Sequence, residues 1–328
     1  MTLFLPVAMP ALCVGAVAAA IVVPASALAG PLAPATPDPL PIVGGETVEP
    51  GAFPETVALL ATGRFCSGVA VAPNLILTAA HCVSNLPDWA SVSVHWGDAV
   101  DGSAETQATV FGVHPGYTGD PAADDIYDYA YVVTDPALPD LPGPYAVPIT
   151  NQADWDFAMQ WDRAVTIVGY GLDSADGTMG AKRKVDVTID GFSELGLEFF
   201  AGGDGHDSCD GDSGGPVFVT LPDGTRALAG LVSRGPATCG DHGVNASAHP
   251  ALCWVRDETG VDVTGDCSSC DCIDTTPPPE PEAGCGRCST DHRPGSTAWW
   301  LVLVIFAIRR PTPAAPEMPV ADGRPSGP

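Results

Sequence analysis

The chain has 328 residues, 45% of them hydrophobic, which is enough to bury one sizeable core. Forty acidic and thirteen basic side chains give a formal net charge of −27. A surface this negative repels phosphate backbones at long range, which excludes nucleic acid as an expected partner.

The N-terminal stretch has the features of an export signal. An apolar run covers Leu12–Val23, and the stretch closes on Ala27-Leu28-Ala29, the small-x-small pattern that a signal peptidase accepts. Prolines within it favour a removed segment over a membrane helix. We therefore expect residues 1–29 to be a signal peptide and the protein to be secreted. In an oxidising compartment the cysteines after Cys13 favour disulfides over metal binding.

The chain then divides by composition into a short Pro/Ala-rich stretch and a long β-rich region. Residues 30–41 carry no periodic apolar pattern and are predicted to be a propeptide. From 42 to 263, Gly, Pro, Asn and Asp clusters separate many short β-type runs. Examples of these runs are Val69–Val71, Leu75–Leu77, Val165–Val168 and Val217–Val219. This spacing, without long helical periodicity, predicts an all-β domain, either a barrel or a sandwich.

Beyond residue 263 the composition changes again. Residues 264–297 are rich in Cys, Thr and Pro and are predicted to be a linker. Residues 298–310 form a short apolar run that ends in Arg309-Arg310, and a polar tail covers 311–328. At ~1.5 Å rise per residue the run is too short to cross a ~30 Å hydrocarbon core comfortably as a helix.

Two motifs contain residues suited to nucleophilic chemistry. Gly211–Pro216 places Ser213 among glycines, which allow the tight turn that aims backbone N–H groups at a developing oxyanion. Leu77–Cys82 runs from a hydrophobic strand into small residues that leave the imidazole of His81 clear of its backbone. A serine hydroxyl attacks a carbonyl only if a base removes its proton, and His81 is the candidate base.

Three motifs in this order, Ile42–Gly45, Thr78–Cys82 and Gly211–Pro216, resemble the trypsin-like serine protease family. The resemblance covers Ile42 to about Gly260. It implies an all-β fold of two six-stranded antiparallel β-barrels with the catalytic site in the cleft between them. It also implies a secreted serine endopeptidase that acts on proteins or peptides by acyl-enzyme chemistry and needs no cofactor.

The family's third catalytic residue is an aspartate that orients the histidine. Asp124, Asp125 and Asp128 all lie in the right region. Asp128 directly precedes an apolar stretch that can be a buried strand, whereas choosing Asp125 would push Asp128 into that strand as an expensive unpaired carboxylate. The sequence therefore favours Asp128, with Asp125 as the alternative.

The resemblance also assigns the oxyanion hole and the activation switch. Oxyanion stabilisation falls to the backbone N–H groups of Gly211 and Ser213. Asp212 corresponds to the carboxylate that pairs with a new N-terminal ammonium, here that of Ile42, after an activating protease has cleaved the zymogen. Relatives usually carry Arg or Lys before the Ile, but this chain has Pro41, which excludes simple autoactivation with basic specificity.

Asp207 corresponds to the residue at the base of the primary pocket in trypsin-like members, and it predicts cleavage after Arg or Lys. The other substrate-binding residues that the resemblance implies are Ser208, Ser233, Gly235 and Gly243. Relatives usually have an aromatic residue beside Ser233, but this chain has Arg234. Substrate contacts outside the primary pocket therefore stay open, as does a contact of Arg234 with a pocket carboxylate.

The resemblance implies two disulfides, Cys66 with Cys82 and Cys209 with Cys239. Val165 and Val219 occupy both ends of one common family bridge, and Phe200 occupies one end of another. Cys253 and the five later cysteines are left, and their fifteen pairings stay open.

The C-terminal pattern, Cys285-Gly-Arg-Cys288 followed by the apolar run and Arg309-Arg310, resembles the sorting tail of myxobacterial surface proteins. It implies a sorting peptidase as a partner and retention at the bacterial cell surface. The alternative is a simple membrane tail with Trp299 and Trp300 at the interface.

For the whole chain, the alternative to a protease is an inactive, protease-shaped binding or adhesive protein. No member of the expected triad is missing, which disfavours that alternative.

Overall fold

A computed structural model describes residues 42–281 except 88–89, 136, 139–140, 142, 174–176 and 237. The expected signal peptide, propeptide, apolar run and tail, together with Cys285 and Cys288, lie outside the described residues. Among the described residues, no helix is long and apolar enough to span a membrane.

The first half of the domain is a closed barrel of six antiparallel strands. Its strands are β2 (Thr56–Ala61), β3 (Arg64–Ala72), β4 (Leu75–Thr78), β5 (Val92–Trp96), β6 (Ala104–Val113) and β7 (Ala130–Thr134), and β1 (Glu46–Thr47) lies outside it. The order around the barrel is β2-β3-β4-β7-β6-β5, and β5 pairs back to β2 with Ala58 opposite His95. All but the first two residues of β3 are buried, because this strand lies between the barrel interior and the second half.

The second half is also a closed six-stranded antiparallel barrel. Its strands are β8 (Ala164–Gly169), β9 (Arg183–Phe192), β10 (Glu198–Ala201), β11 (Pro216–Thr220), β12 (Arg226–Arg234) and β13 (Gly243–Ser247). The order is β9-β10-β13-β12-β11-β8, and β8 closes the barrel by pairing with β9. Strand β1 adds to the edge of β9. In β9 the side chains of Val185, Val187 and Ile189 face the core and alternate with more exposed residues, as a half-buried strand requires.

The described residues of the domain also form four short helices: α1 (Ala80–Val83), α2 (Gln152–Ala158), a 3₁₀ turn (His249–Ala251) and α3 (Leu252–Thr259). The prediction of two six-stranded antiparallel barrels is confirmed. The β-type runs recognised in the sequence lie in β3, β4, β8 and β11.

The buried apolar side chains of the described residues form three clusters. One fills each barrel, and the third joins them, with Leu77 and Tyr129 from the first barrel against Phe218 and Leu228 from the second. Leu252 of α3 packs into this joining cluster. Because close-packed interiors deform little, the cluster fixes the position of one barrel against the other, and so the width of the cleft between them.

Four disulfides occur among the described residues: Cys66–Cys82, Cys209–Cys239, Cys253–Cys270 and Cys267–Cys272. Val165 and Val219, which occupy the two ends of a bridge that the resemblance implies for relatives, are both buried in the core of the second barrel. The two His/Cys clusters among the described residues each contain a disulfide, whose sulfurs offer no thiolate to a metal ion.

Candidate active site

A cleft of about 390 Å³ is lined by residues of both barrels. It contains every side chain that the sequence predicted for catalysis and most of those predicted for substrate binding. These residues are His81, Asp128, Asp207, Ser208, Ser213, Ser233 and Gly235.

His81 lies in α1, directly after β4, and its side chain is 34% exposed. The disulfide at Cys82 ties α1 to β3. In addition, the guanidinium of Arg64 donates to the carbonyls of His81 at 2.8 Å and Ser84 at 2.6 Å. These contacts satisfy carbonyls that so short a helix leaves unpaired, and they hold the imidazole at the cleft.

Asp128 is buried and accepts three hydrogen bonds. Its Oδ1 accepts the backbone N–H of His81 at 2.9 Å, and its Oδ2 lies 2.8 Å from Nδ1 of His81 and 2.6 Å from Oγ of Ser233. Burial opposes its charge, but the hydrogen bonds from His81 and Ser233 outweigh burial and hold the pKa of Asp128 below its usual value. An ionised Asp128 requires the proton on Nδ1, which leaves the Nε2 lone pair of His81 free to act as a base.

The other two candidate aspartates point elsewhere. Asp125 accepts a hydrogen bond from the hydroxyl of Ser193 at 2.6 Å and another from the backbone N–H of Leu197 at 3.2 Å. Asp124 is exposed. The structure therefore brings Asp128, rather than Asp124 or Asp125, to the imidazole.

Ser213 is partly exposed at the start of the turn into β11. Its carbonyl accepts the N–H of Ser67 at 2.9 Å, and the Ser67 hydroxyl donates to the carbonyl of Gly211 at 2.9 Å. Gly211 has φ +96°, a left-handed conformation that a side chain would strain. Among the described residues, no acceptor binds the N–H groups of Gly211 and Ser213, so both are available to an oxyanion.

Asp212 is fully buried beside this turn. Its carboxylate accepts N–H groups from Gly171 at 2.8 Å and Cys209 at 2.9 Å. Among the described residues no cationic side chain lies within ion-pair distance of it, although Arg183 interacts with it electrostatically. Burial raises the pKa of Asp212 to about 7. Ile42 is also fully buried, in the core of the same barrel, and the carbonyl of Val43 accepts the N–H of Asp207 at 3.0 Å.

Asp207 is only 1% exposed although it lines the cleft. Its Oδ1 accepts the N–H of Ser208 at 2.6 Å and the Ser208 hydroxyl at 3.2 Å, and burial raises its pKa to about 6. A Cβ at Gly243 would lie 2.5 Å from this oxygen, so only glycine leaves the carboxylate uncovered there. At Gly235 a Cβ would meet nothing nearer than the Cα of Gly243 at 4.0 Å, which leaves the pocket wall open.

Arg234 also lines the cleft, but it pairs with Glu198 instead of Asp207. Among the described residues, no ion pair includes Asp207, although His242 interacts with it electrostatically. Sequence reasoning missed Glu198, because no motif marks it. The available signal was Arg234 itself, since a cation where relatives have an aromatic residue needs a buried partner.

Two closed antiparallel barrels with Ser213, His81 and Asp128 in one cleft define a class of proteins with a serine nucleophile, a histidine base and an orienting carboxylate. Comparison with known proteins gives the family. The family model described as Trypsin matches residues 42–255. The chain belongs to the trypsin family.

Individual relatives agree with this assignment. Kallikrein-4 of Homo sapiens is 31% identical over 222 residues, which cover 62% of this chain and 80% of the relative. Lectizyme of Glossina austeni is 31% identical over 250 residues, which cover 70% of this chain and 86% of the relative. Coagulation factor XII of Cavia porcellus is 28% identical over 246 residues, covering 66% of this chain and 40% of the relative. The chain thus spans less than half the length of the factor XII proteins that it matches.

Proposed function

We propose that the protein is a serine endopeptidase in which Ser213 is the nucleophile, His81 the general base and Asp128 the residue that orients the base. The observation that carries the proposal is the buried hydrogen bond from Nδ1 of His81 to Asp128, in the same cleft as Ser213. Membership of the trypsin family supports it.

The chemistry proceeds by acyl transfer in two steps. Oγ of Ser213 attacks the carbonyl carbon of the scissile bond while Nε2 of His81 takes the hydroxyl proton. The imidazolium then gives that proton to the leaving amine, and an acyl-enzyme remains. Water, deprotonated by the same nitrogen, releases the acid and restores Ser213.

Asp128 and the oxyanion hole lower the barriers of both steps. The carboxylate of Asp128 stabilises the imidazolium and stays ionised, in agreement with its low pKa. The N–H groups of Gly211 and Ser213 receive the negative charge that develops on the carbonyl oxygen. Loss of a single oxyanion donor costs about 3 to 4 kcal/mol in other serine proteases.

Substrate preference follows from the primary pocket. Asp207 is buried, has no ion-pair partner among the described residues and is uncovered at Gly243. A lysine or arginine side chain supplies that partner, while an apolar side chain leaves the carboxylate desolvated and unpaired. The proposed specificity is therefore cleavage after Arg or Lys.

Replacing Asp207 with Ser should lower kcat/KM for cleavage after Arg by at least about 30-fold, because loss of one partner of a buried charge pair costs about 2 to 5 kcal/mol. Cleavage after Leu should change far less. The measurement compares peptide amides that differ only at the residue before the scissile bond. Asp210→Ser is the matched control, since this exposed carboxylate lines the same cleft and its charge is screened by water. Equal losses of kcat/KM for the Arg and Leu substrates would contradict the role of Asp207 in the primary pocket.

The same substrates should show a pH signature. Asp207 has a pKa of about 6, so it becomes protonated and loses its charge as the pH falls below that value. The ratio of kcat/KM for Arg over Leu should fall in that range, because kcat/KM reports the free enzyme and groups shared by both reactions cancel in the ratio. The Asp207→Ser variant should lack this fall.

We further propose that cleavage before Ile42 activates the protein. Asp212 is a fully buried carboxylate whose hydrogen-bond partners among the described residues are two backbone amides, and Ile42 is buried in the core of the same barrel. While Ile42 is bonded to Pro41 it has no ammonium group. Cleavage creates that charge, and its burial is tolerable only when it is paired with Asp212. The pair would then support the turn that contains Gly211.

The unprocessed chain should be nearly inactive and should stay so on incubation, because Pro41 does not satisfy a pocket built around Asp207. Pro41→Arg should activate itself, as measured by the appearance of Ile42 at a new N-terminus together with hydrolysis of an Arg substrate. Pro41→Ala is the matched control and should stay dormant, as should Pro41→Arg combined with Asp207→Ser. Full activity of the uncleaved chain would overturn the switch. Dormancy of Pro41→Arg would count against basic specificity.

The sequence also supports export and retention at the bacterial cell surface through the C-terminal tail. This part of the proposal rests on the signal and tail motifs alone. Mass spectrometry of protein released from the cell surface tests it. A C-terminus near Cys285 or Cys288 is expected, whereas an intact tail would contradict processing by a sorting peptidase.

A further inference from the structure

Arg234 and Glu198 form a buried, bidentate ion pair at the edge of the cleft. Arg234 ends β12 and Glu198 begins β10. One guanidinium nitrogen of Arg234 lies 2.7 Å from Oε1 of Glu198, and another lies 3.1 Å from Oε2. Glu198 is 1% exposed, so both of its oxygens need partners within the protein.

The pair also binds the backbone of Pro121–Ile126, which we call the 121–126 segment. Arg234 donates to the carbonyls of Pro121 at 3.1 Å and Ala123 at 2.7 Å. Glu198 accepts the N–H groups of residues 125 and 126 at 3.0 and 3.4 Å. Four backbone groups of a loop in the first half of the domain are therefore held by two side chains of the second barrel.

The segment and the residue after it need such support, because the backbone is strained just before Asp128, the residue proposed to orient His81. Asp125 has φ +54° and Tyr127 has φ +54°, left-handed conformations that a residue with a side chain rarely adopts. Such conformations persist only where the surroundings over-determine them. Asp128, which directly follows Tyr127, must meet both the imidazole and the backbone N–H of His81.

The donors of Arg234 are almost all used inside the protein. A guanidinium has five N–H groups, and four of them bind Pro121, Ala123 and the two oxygens of Glu198. The fifth has the Ser233 hydroxyl at 3.5 Å. With its charge neutralised by Glu198, Arg234 is poorly suited to binding a substrate carboxylate, although it lines the cleft.

We propose that Arg234 and Glu198 are positioning residues that hold the 121–126 segment, with Asp125 in its left-handed conformation, and thereby keep Asp128 in place against His81. This inference rests on the proposed protease function. It gives the pair a role in turnover rather than in substrate recognition.

The test uses the full chain with an engineered protease site that leaves Ile42 as the N-terminus. Arg234→Met should lower kcat for an Arg anilide by at least about tenfold while KM stays within about twofold, since small displacements of catalytic groups cost rate. Glu198→Gln should act alike. The double variant should lose less than the product of the two single losses, because each single change leaves a buried unpaired charge. Arg234→Lys keeps the positive charge but lacks the guanidinium group that binds both oxygens of Glu198, so it should recover part of kcat.

A second readout does not depend on turnover. The proton between Nδ1 of His81 and Asp128 should give a downfield NMR signal, and this signal should weaken or move in Arg234→Met and persist in Arg234→Lys. If the wild-type protein hydrolyses no peptide, the proposed function has failed and this signal alone decides the positioning role. An unchanged signal with unchanged kcat would overturn the inference.

The matched control is another ion pair of the described residues that includes a buried glutamate, Arg226 with Glu55. Arg226→Met and Glu55→Gln remove the same kinds of groups outside the cleft, so they should lower the unfolding temperature but leave kcat unchanged. If variants of Arg226–Glu55 lowered kcat as much as variants of Arg234–Glu198, the loss would reflect reduced stability of the protein, and the positioning role would be contradicted. A change in KM alone, confined to substrates with an acidic residue before the cleaved position, would make Arg234 a substrate-binding residue and contradict the proposal.

Discussion

Replacing Ser213 with Ala should lower kcat by about 10⁶-fold, the size of the loss when the nucleophile of another serine protease is removed. It should also abolish covalent labelling by an active-site organophosphonate, because the reagent needs a hydroxyl that a base has activated. Labelling is measured by the mass added to protein processed to expose Ile42.

The fold should survive this change. The contact that Ser213 makes with Ser67 uses its carbonyl, which alanine retains. The unfolding temperature of Ser213→Ala should therefore match that of the wild-type protein. Ser91→Ala is a suitable control, because Ser91 is exposed and lies outside the cleft, so labelling should continue. Persistent labelling of Ser213→Ala would refute the assignment of the nucleophile.

Much of the fold could be predicted because local chemistry and tertiary structure agree. Short runs rich in Val, Ile and Leu, separated by turn residues, became β3, β4, β8 and β11. The closure into two barrels came from the motifs of the family rather than from these runs, because a run of this kind fits a barrel or a sandwich equally well. The pairing of β5 with β2 that closes the first barrel joins two strands that are not consecutive in the chain.

Residues 264–281 belong to the stretch that the composition predicts to be a linker. In the structure these residues contact the second half of the domain. The indole of Trp161 donates to the carbonyl of Pro278 at 3.3 Å, and the Thr275 hydroxyl donates to the carbonyl of Leu195 at 3.2 Å. Each of these contacts is a hydrogen bond between one side chain and one backbone carbonyl. A hydrophobic pattern in the sequence therefore does not predict them.

Some residues of the candidate site could be predicted from the sequence and others could not. Ser213, His81 and Asp207 lie in local sequence motifs, so their positions could be predicted. The partner of Arg234 could not, because Glu198 lies 36 residues away in sequence and in a different strand. Burial gives the physical reason for the pairing: a guanidinium at the edge of the cleft must find a carboxylate or lose its hydration without compensation.

Replacing Asp128 with Asn should lower kcat by about 10⁴-fold, and the geometry explains why. The backbone N–H of His81, 2.9 Å from Oδ1, needs an acceptor, so the amide oxygen of the new Asn takes that position. The amide NH₂ then faces Nδ1 of His81, which can only accept. The proton moves to Nε2, the nitrogen that must take the proton of Ser213, and the base is lost. Single-turnover acylation with an Arg ester measures the loss.

Two neighbouring substitutions make this prediction specific to Asp128. Asp124→Asn changes an exposed carboxylate in the same stretch and should leave acylation as it is. Asp125→Asn weakens contacts to Ser193 and Leu197 but leaves the tautomer of His81 unchanged, so its effect should be far below 10⁴-fold. The histidine tautomer, read from ¹⁵N shifts of the imidazole, should switch only in Asp128→Asn, because only that change replaces the acceptor 2.8 Å from Nδ1 with a donor. A loss from Asp125→Asn as large as that from Asp128→Asn would reassign the orienting carboxylate.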